Sequence, residues 1–178
     1  MAQAYLEPVG GLSGDMMLGA LVDAGLPIEA LQESIGTLGL TDEVRVSARK
    51  VSKCGISATK VNVEKIEHVH QHHEHEHEHE HHHGRSASEL IEVVEAADLD
   101  EAVRDRSVAI IRSLAEAEAK VHDATPEEIH FHELGGLDTI VDVVGAVEGL
   151  RRLGVSDLRV APLPIGHGWI DCAHGRLP

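Results

Sequence analysis

The stretch L-D-T-I-V-D-V-V-G-A-V-E-G-L-R-R-L, residues 137–153, is apolar on nearly every side of a helical projection. A helix of that kind is buried, and other elements must be arranged around it. Asp138, Asp142, Gly145 and Gly149 recur at i, i+4, i+7 and i+11, so they form one stripe along it. The stripe carries carboxylates at one end and no side chains at the other. Something therefore approaches its backbone closely, and a packed neighbouring helix accounts for the glycines. The carboxylates ask for more, because an unpartnered buried charge costs several kcal/mol. Asp142 needs a cation, a hydrogen-bond network or exposure.

Just upstream the chain reads E-I-H-F-H-E-L-G-G, residues 128–136. His130 and His132 are two apart in an extended segment, so both rings leave the same face. His130, His132, Glu133, Asp138 and Asp142 are thus the candidate catalytic cluster, a mixed nitrogen and oxygen set suited to a divalent metal. H-x-H alone is a weak motif, and a buried helix with its entry turn is the plainer reading. The H-E-x-x-H of helix-borne zinc proteases and the G-x-S-x-G of serine hydrolases are both absent.

Around this centre the chain reads in order as follows. Residues 4–9 form a short strand, ending at the turn Gly10-Gly11-Leu12-Ser13-Gly14-Asp15. A helix follows, with Met17, Leu18, Leu21 and Val22 at helical spacing, Ser13 as N-cap and Gly25 as stop. Pro27 opens a second helix to about residue 38. Val44, Val46 and Ala48, then Thr59, Val61 and Val63, alternate with polar residues and predict an antiparallel hairpin. The Gly-rich turn can offer backbone N–H groups to a phosphate, although it is neither a dinucleotide fingerprint nor a P-loop. Asp15 at the helix start would repel such an anion unless a metal were shared between them.

Residues 86–97 and 99–121 predict two helices, the second with an apolar stripe of Val103, Ser107, Ile110, Ile111 and Leu114. A strand at 158–163 follows the central helix. The tail carries His167 and His174 flanked by glycines, as where a ligand meets the backbone closely. It stops at Leu177-Pro178 as if cut inside a larger protein.

Between the hairpin and the helices lies a tract of ten histidines, His68, His70, His72, His73, His75, His77, His79, His81, His82 and His83, with glutamates interleaved. It has almost nothing apolar to offset its ordering entropy and is expected to be disordered. Its imidazoles would hold several zinc, nickel, copper or cobalt ions without fixed geometry, as a collector.

The expected fold class is α+β, a mixed sheet with helices and a disordered internal loop. Residues 1–66 make a β-α-α-β-β unit, 67–85 the tract, and 86–178 a helical and mixed part that shares a domain with 1–66. The formal charge of −16 with only one Phe, one Trp and one Tyr points away from nucleic acid and anionic membranes and towards cations. Two distant cysteines, Cys54 and Cys172, give no disulfide framework. No apolar run is long enough to span a bilayer and no signal peptide opens the chain, so a cytoplasmic location is expected.

Three separated blocks carry a resemblance: Y-L-E-P-V-G-G-L-S-G-D-M at residues 5–16, H-F-H-E-L-G-G-L-D-T-I-V-D at 130–142, and G-H-G-W-I-D-C-A-H-G-R-L-P at 166–178. Together they resemble the LarC-type nickel-insertion family, which also often carries a His-rich segment between its first and second blocks. The resemblance implies a nickel insertase acting on pyridinium-3,5-bisthiocarboxylic acid mononucleotide, a cyclometallation forming Ni–S and Ni–C bonds. It further implies CTP, manganese or magnesium, and a C-terminal half of the same protein that holds the CTP site and has no counterpart here. Within the motifs, Gly11, Ser13, Gly14, Asp15, Gly135 and Gly136 are candidates for the mononucleotide, and the tract with His130, His132, His167 and His174 for the metal. A homo-oligomer is left open. The competing readings are a nickel or zinc storage protein without chemistry, and a metal-dependent hydrolase.

Overall fold

The computed structural model describes residues 2–66, 85–129, 131, 137–164, 166–172 and 175–177. The fold is α+β. Strand β1 (Ala2–Leu6) leads to helices α1 (Gly14–Asp23) and α2 (Ile28–Gly36), then to the hairpin β2 (Val44–Lys53) and β3 (Ile56–Lys65). Helices α3 (Ala87–Ala96) and α4 (Glu101–His122), a 3-10 turn at Pro126–Glu128, helix α5 (Leu137–Arg152) and strand β4 (Val155–Val160) follow. Two short strands, β5 (Ile170–Cys172) and β6 (Gly175–Leu177), close the described chain.

The mixture of strand directions is spread over three two-stranded sheets among the described residues. β1 and β4 pair parallel, β2 with β3 antiparallel, and β5 with β6 antiparallel. β1 stops at Leu6, earlier than its apolar pattern suggests, because Pro8 has no N–H to give and the chain turns there. β4 ends at Val160, before Pro162 and Pro164, for the same reason.

Helix α5 is the hub, packed against α1, α2, α4 and β4. Ile140, Val141 and Val144 are fully buried, as the all-round apolar pattern requires. Its glycine stripe receives α1. A Cβ on Gly145 would meet Leu18 Cδ2 at 2.9 Å, and one on Gly149 would meet Leu21 Cδ1 at 2.8 Å and Leu26 Cδ2 at 3.0 Å. Gly14 lies in the same way against the Asp142 carboxyl. Positions 14, 18 and 21 thus climb alongside 142, 145 and 149, so the two helices run in the same direction with their N-terminal ends together.

The other face of α1 lies on the hairpin, where Gly19 brings its backbone against the carbonyl of Thr59. Val44, Val46 and Val61 close the core beneath it. Asp23 accepts hydrogen bonds from Lys50 and Thr59, and Gln32 Nε2 donates to the Val46 carbonyl at 2.8 Å. The hairpin is therefore tied to both α1 and α2.

Helix α3 starts with a capping box, Ser86 Oγ accepting from Glu89 N while Glu89 accepts from Ser86 N. In α4 the buried stripe is Val103, Ser107, Val108, Ile111, Ala115 and Ala119. Ile110, expected inside, is 37% exposed, because the small Ala115 and Ala119 continue the contact face instead. At the far end of α5, buried Glu148 accepts from Arg151 (2.7 and 2.8 Å) and Arg152 (2.7 Å), and Arg152 reaches Glu33 of α2 at 3.1 Å. Those hydrogen bonds, Arg151 first, hold the Glu148 carboxyl below its usual range.

Candidate functional site

The aligned N-terminal ends of α1 and α5 meet β3 around a cleft of ≈ 340 Å³. The start of α1 supplies Ser13, Gly14 and Asp15, the first turns of α5 supply Asp138 and Asp142, and β3 supplies residues 60–64. β3 lines the cleft with five consecutive residues, the fully buried Val61 of the core among them, so the same stretch of strand serves core and cleft. Four carboxylates, Asp15, Glu64, Asp138 and Asp142, line the cleft against a single lysine.

Each acidic group is placed by local chemistry. Asp15 sits in the first turn of α1, where the helix dipole favours a negative charge by roughly 0.3–1 kcal/mol. Ser13 is the N-cap residue, but its hydroxyl does not cap the backbone; it donates to Asp15 Oδ1, which also accepts from Met16 N at 2.9 Å. Asp138 is in the first turn of α5 and exposed. Asp142 is one turn deeper and half-buried.

Asp142 is the unusual group. Its Oδ1 is buried without a hydrogen-bond partner among the described residues. Burial, then the charges of Asp15 and Asp138, push its carboxyl up to about 6. Its other face rests on Gly14, and any side chain at position 14 would overlap the carboxyl. Gly14 is therefore a glycine for a steric reason, which turn chemistry alone did not reveal. A desolvated carboxylate among like charges is relieved by a proton or by a cation.

Of the expected site residues, Gly11, Ser13, Gly14, Asp15, Asp138, Asp142 and His167 are described. Ser13, Gly14, Asp15, Asp138 and Asp142 come together in the cleft; Gly11 and the exposed His167 are not among its lining residues. His130, His132, Glu133, Gly135, Gly136, His174 and residues 67–84 of the tract lie outside the described residues. Phe131, between the two histidines in sequence, is 1% exposed, and its burial contributes about 1.5–3 kcal/mol to the core. Among the described residues, no three His, Cys, Asp or Glu side chains are grouped closely enough to hold a metal ion. Lys60, Asn62 and Glu64 were not anticipated. Their only signal was the polar half of a strand alternation, which says nothing about what that half faces.

An α+β frame that holds an acidic cleft at two helix starts defines a class of site that attracts cations. Comparison with known proteins makes the assignment specific. The chain matches the family of nickel insertion proteins over residues 4–178 and belongs to it. It is 41% identical over its whole length to a protein of Desulfitobacterium hafniense named pyridinium-3,5-bisthiocarboxylic acid mononucleotide nickel insertion protein. Relatives from Thermomicrobium roseum (42% identical, the whole chain covered) and Rippkaea orientalis (45%, 98% covered) are named provisionally as nickel insertion proteins. The chain spans only 41–42% of the length of these relatives. No solved structure matches it. Among the described residues no helix is long and apolar enough to cross a membrane.

Proposed function

We propose that this chain carries the nickel-handling part of a cytoplasmic nickel insertase that acts on pyridinium-3,5-bisthiocarboxylic acid mononucleotide. The observation that supports this most is Asp142: a buried carboxylate oxygen with no hydrogen-bond partner among the described residues, a group that a cation would relieve, in a family of nickel insertion proteins. Nickel is cargo here. Gathered by the histidine tract, it passes to a seat formed by Asp142 and Asp138 together with His130, His132 and Glu133, which precede α5 by only a few residues. Carboxylate oxygens alone suit magnesium or manganese equally well, so the imidazoles supply the nitrogen that favours nickel.

The acidic cleft orders the events. A mononucleotide is anionic and four carboxylates repel it, while the N-terminal end of α1 with Ser13 and Gly14 attracts its phosphate. A divalent ion beside Asp142 offsets two of those charges and lowers the repulsion that the anionic substrate meets. Metal therefore binds first and the mononucleotide second, with Ser13, Gly14, Gly135 and Gly136 around its phosphate end and Asp15 towards the shared metal. We assign the CTP requirement to the part of the longer relatives that this chain lacks, together with a manganese or magnesium ion that accompanies the nucleotide. The lyase-type bond formation then needs both parts.

Nickel titration of a chain lacking residues 67–84 tests the seat. One nickel per chain should remain, and Asp142→Asn should weaken it at least tenfold. Loss of all nickel with the tract would leave a storage protein, and equal binding by the variant would remove Asp142 from the site.

A further inference from the structure

The β1–β4 ribbon carries an apolar face that the described residues leave partly uncovered. Residues paired across parallel strands point to the same side, so Ala4, Leu6, Leu158 and Val160 share one face. Gln3, Tyr5, Asp157 and Arg159 share the other. That second face is polar and internally paired: Gln3 Nε2 and Arg159 Nε both donate to Asp157 Oδ2, at 3.3 and 3.2 Å. On the first face Leu158 is 38% and Val160 49% exposed. Among the described residues no third strand pairs with either edge of the ribbon.

Such an arrangement is unfinished. Parallel strands occur almost only with both faces covered, a lone two-stranded ribbon is marginal in water, and an open edge is a template for pairing. Ten of the thirteen large hydrophobic side chains exposed among the described residues fall within residues 5–16 and 158–177, so the uncovered apolar surface is concentrated in these segments.

We infer that the apolar face of β1–β4 docks the portion of the longer family members that this chain does not contain. The chain spans 41% of its Desulfitobacterium hafniense relative, so the larger share of such a protein must pack somewhere, and this ribbon offers an apolar face and open edges that the described residues do not cover. The inference is independent of the nickel seat, since no cleft residue takes part.

Amide hydrogen exchange tests it on two proteins: this chain alone, and a full-length chimaera in which it replaces the matching part of the Desulfitobacterium hafniense relative. Exchange at Ala2–Leu6 and Val155–Val160 should slow at least tenfold in the chimaera, with α4 unchanged. Leu158→Asp with Val160→Asp should erase that difference while α4 stays protected. Equal exchange of the ribbon in the two proteins overturns the inference, as does protection that the double variant leaves intact. Sedimentation of the chain alone identifies the remaining occupant: a dimer with β1–β4 already protected would mean that a second copy covers the face, and would also overturn it. Should the double variant unfold, the wild-type comparison still decides.

Discussion

Asp142→Asn is expected to make the metal-free fold more stable at neutral pH while disabling the site. In the folded chain the Asp142 carboxyl is raised from 3.8 to about 6, first by burial and then by Asp15 and Asp138. The folded state thus holds this proton more tightly than the unfolded state does. Below about pH 3.8 the group is neutral in both states and costs nothing. Stability is lost as pH rises from there through 6, and the full penalty is present above it. A gap of about two units corresponds to about 3 kcal/mol. Because the side chain is only half-buried, solvent screening reduces that to about 1–2 kcal/mol. Asparagine has the same shape, so it fits against Gly14 without cavity or clash. Urea denaturation of chelator-treated protein at pH 8 should therefore show the variant more stable by about 1–2 kcal/mol, with the gap shrinking at pH 4.5. Added nickel should stabilise the wild type more than the variant. A variant less stable than wild type at pH 8, or a difference independent of pH, would refute the reasoning.

Other substitutions test the packing that builds the cleft. Gly14→Ala forces a methyl group into the Asp142 carboxyl and should cost about 1–3 kcal/mol in chemical denaturation, with nickel affinity lost alongside. Gly19→Ala should be more damaging than Gly145→Ala in thermal melts, because the first meets the rigid carbonyl of Thr59 and the second the movable end of Leu18. Ser86→Ala removes one half of the α3 capping box and should cost about 1 kcal/mol, read by urea denaturation. Deleting residues 67–84 should lower the number of nickel ions bound per chain without shifting the melting temperature, since the core forms from residues on either side of the tract.

Much of the fold was legible because it is local. The alternation of Val44, Val46, Val61 and Val63 sufficed for the hairpin, and the all-round apolar pattern of 137–153 sufficed for a buried helix. The close approach to Gly145 and Gly149 was also readable, but not which helix makes it, since Leu18 and Leu21 are more than a hundred residues away. The pairing of β1 with β4 has the same character. Its register joins Ala2 to Val155, and nothing in either short segment announces the other. Ile110 misled because helical spacing permits two neighbouring stripes, and only packing chooses between them.

The candidate site divides along similar lines. Asp142 stood out as a charge that needed a partner, and in the structure it has an orphaned oxygen and a raised carboxyl. The Gly-Gly-Leu-Ser-Gly-Asp turn looked like an anion loop by its glycines. In the structure Gly14 also leaves room for the Asp142 carboxyl, so the loop forms one wall of an acidic cleft. The contribution of Lys60, Asn62 and Glu64 depended on how the hairpin lies against α1, a tertiary fact with no local trace.

The measurement that bears most directly on the nickel reading is reconstitution in the full-length chimaera. The mononucleotide precursor, nickel, manganese and CTP would be supplied, and nickelated product detected by mass. Wild-type chimaera should form product, and His130→Ala and Asp142→Asn should each lose at least a hundredfold in yield while keeping the wild-type far-UV circular dichroism. Undiminished product from the Asp142→Asn protein would contradict the assignment of the cleft as the place where nickel is held for insertion.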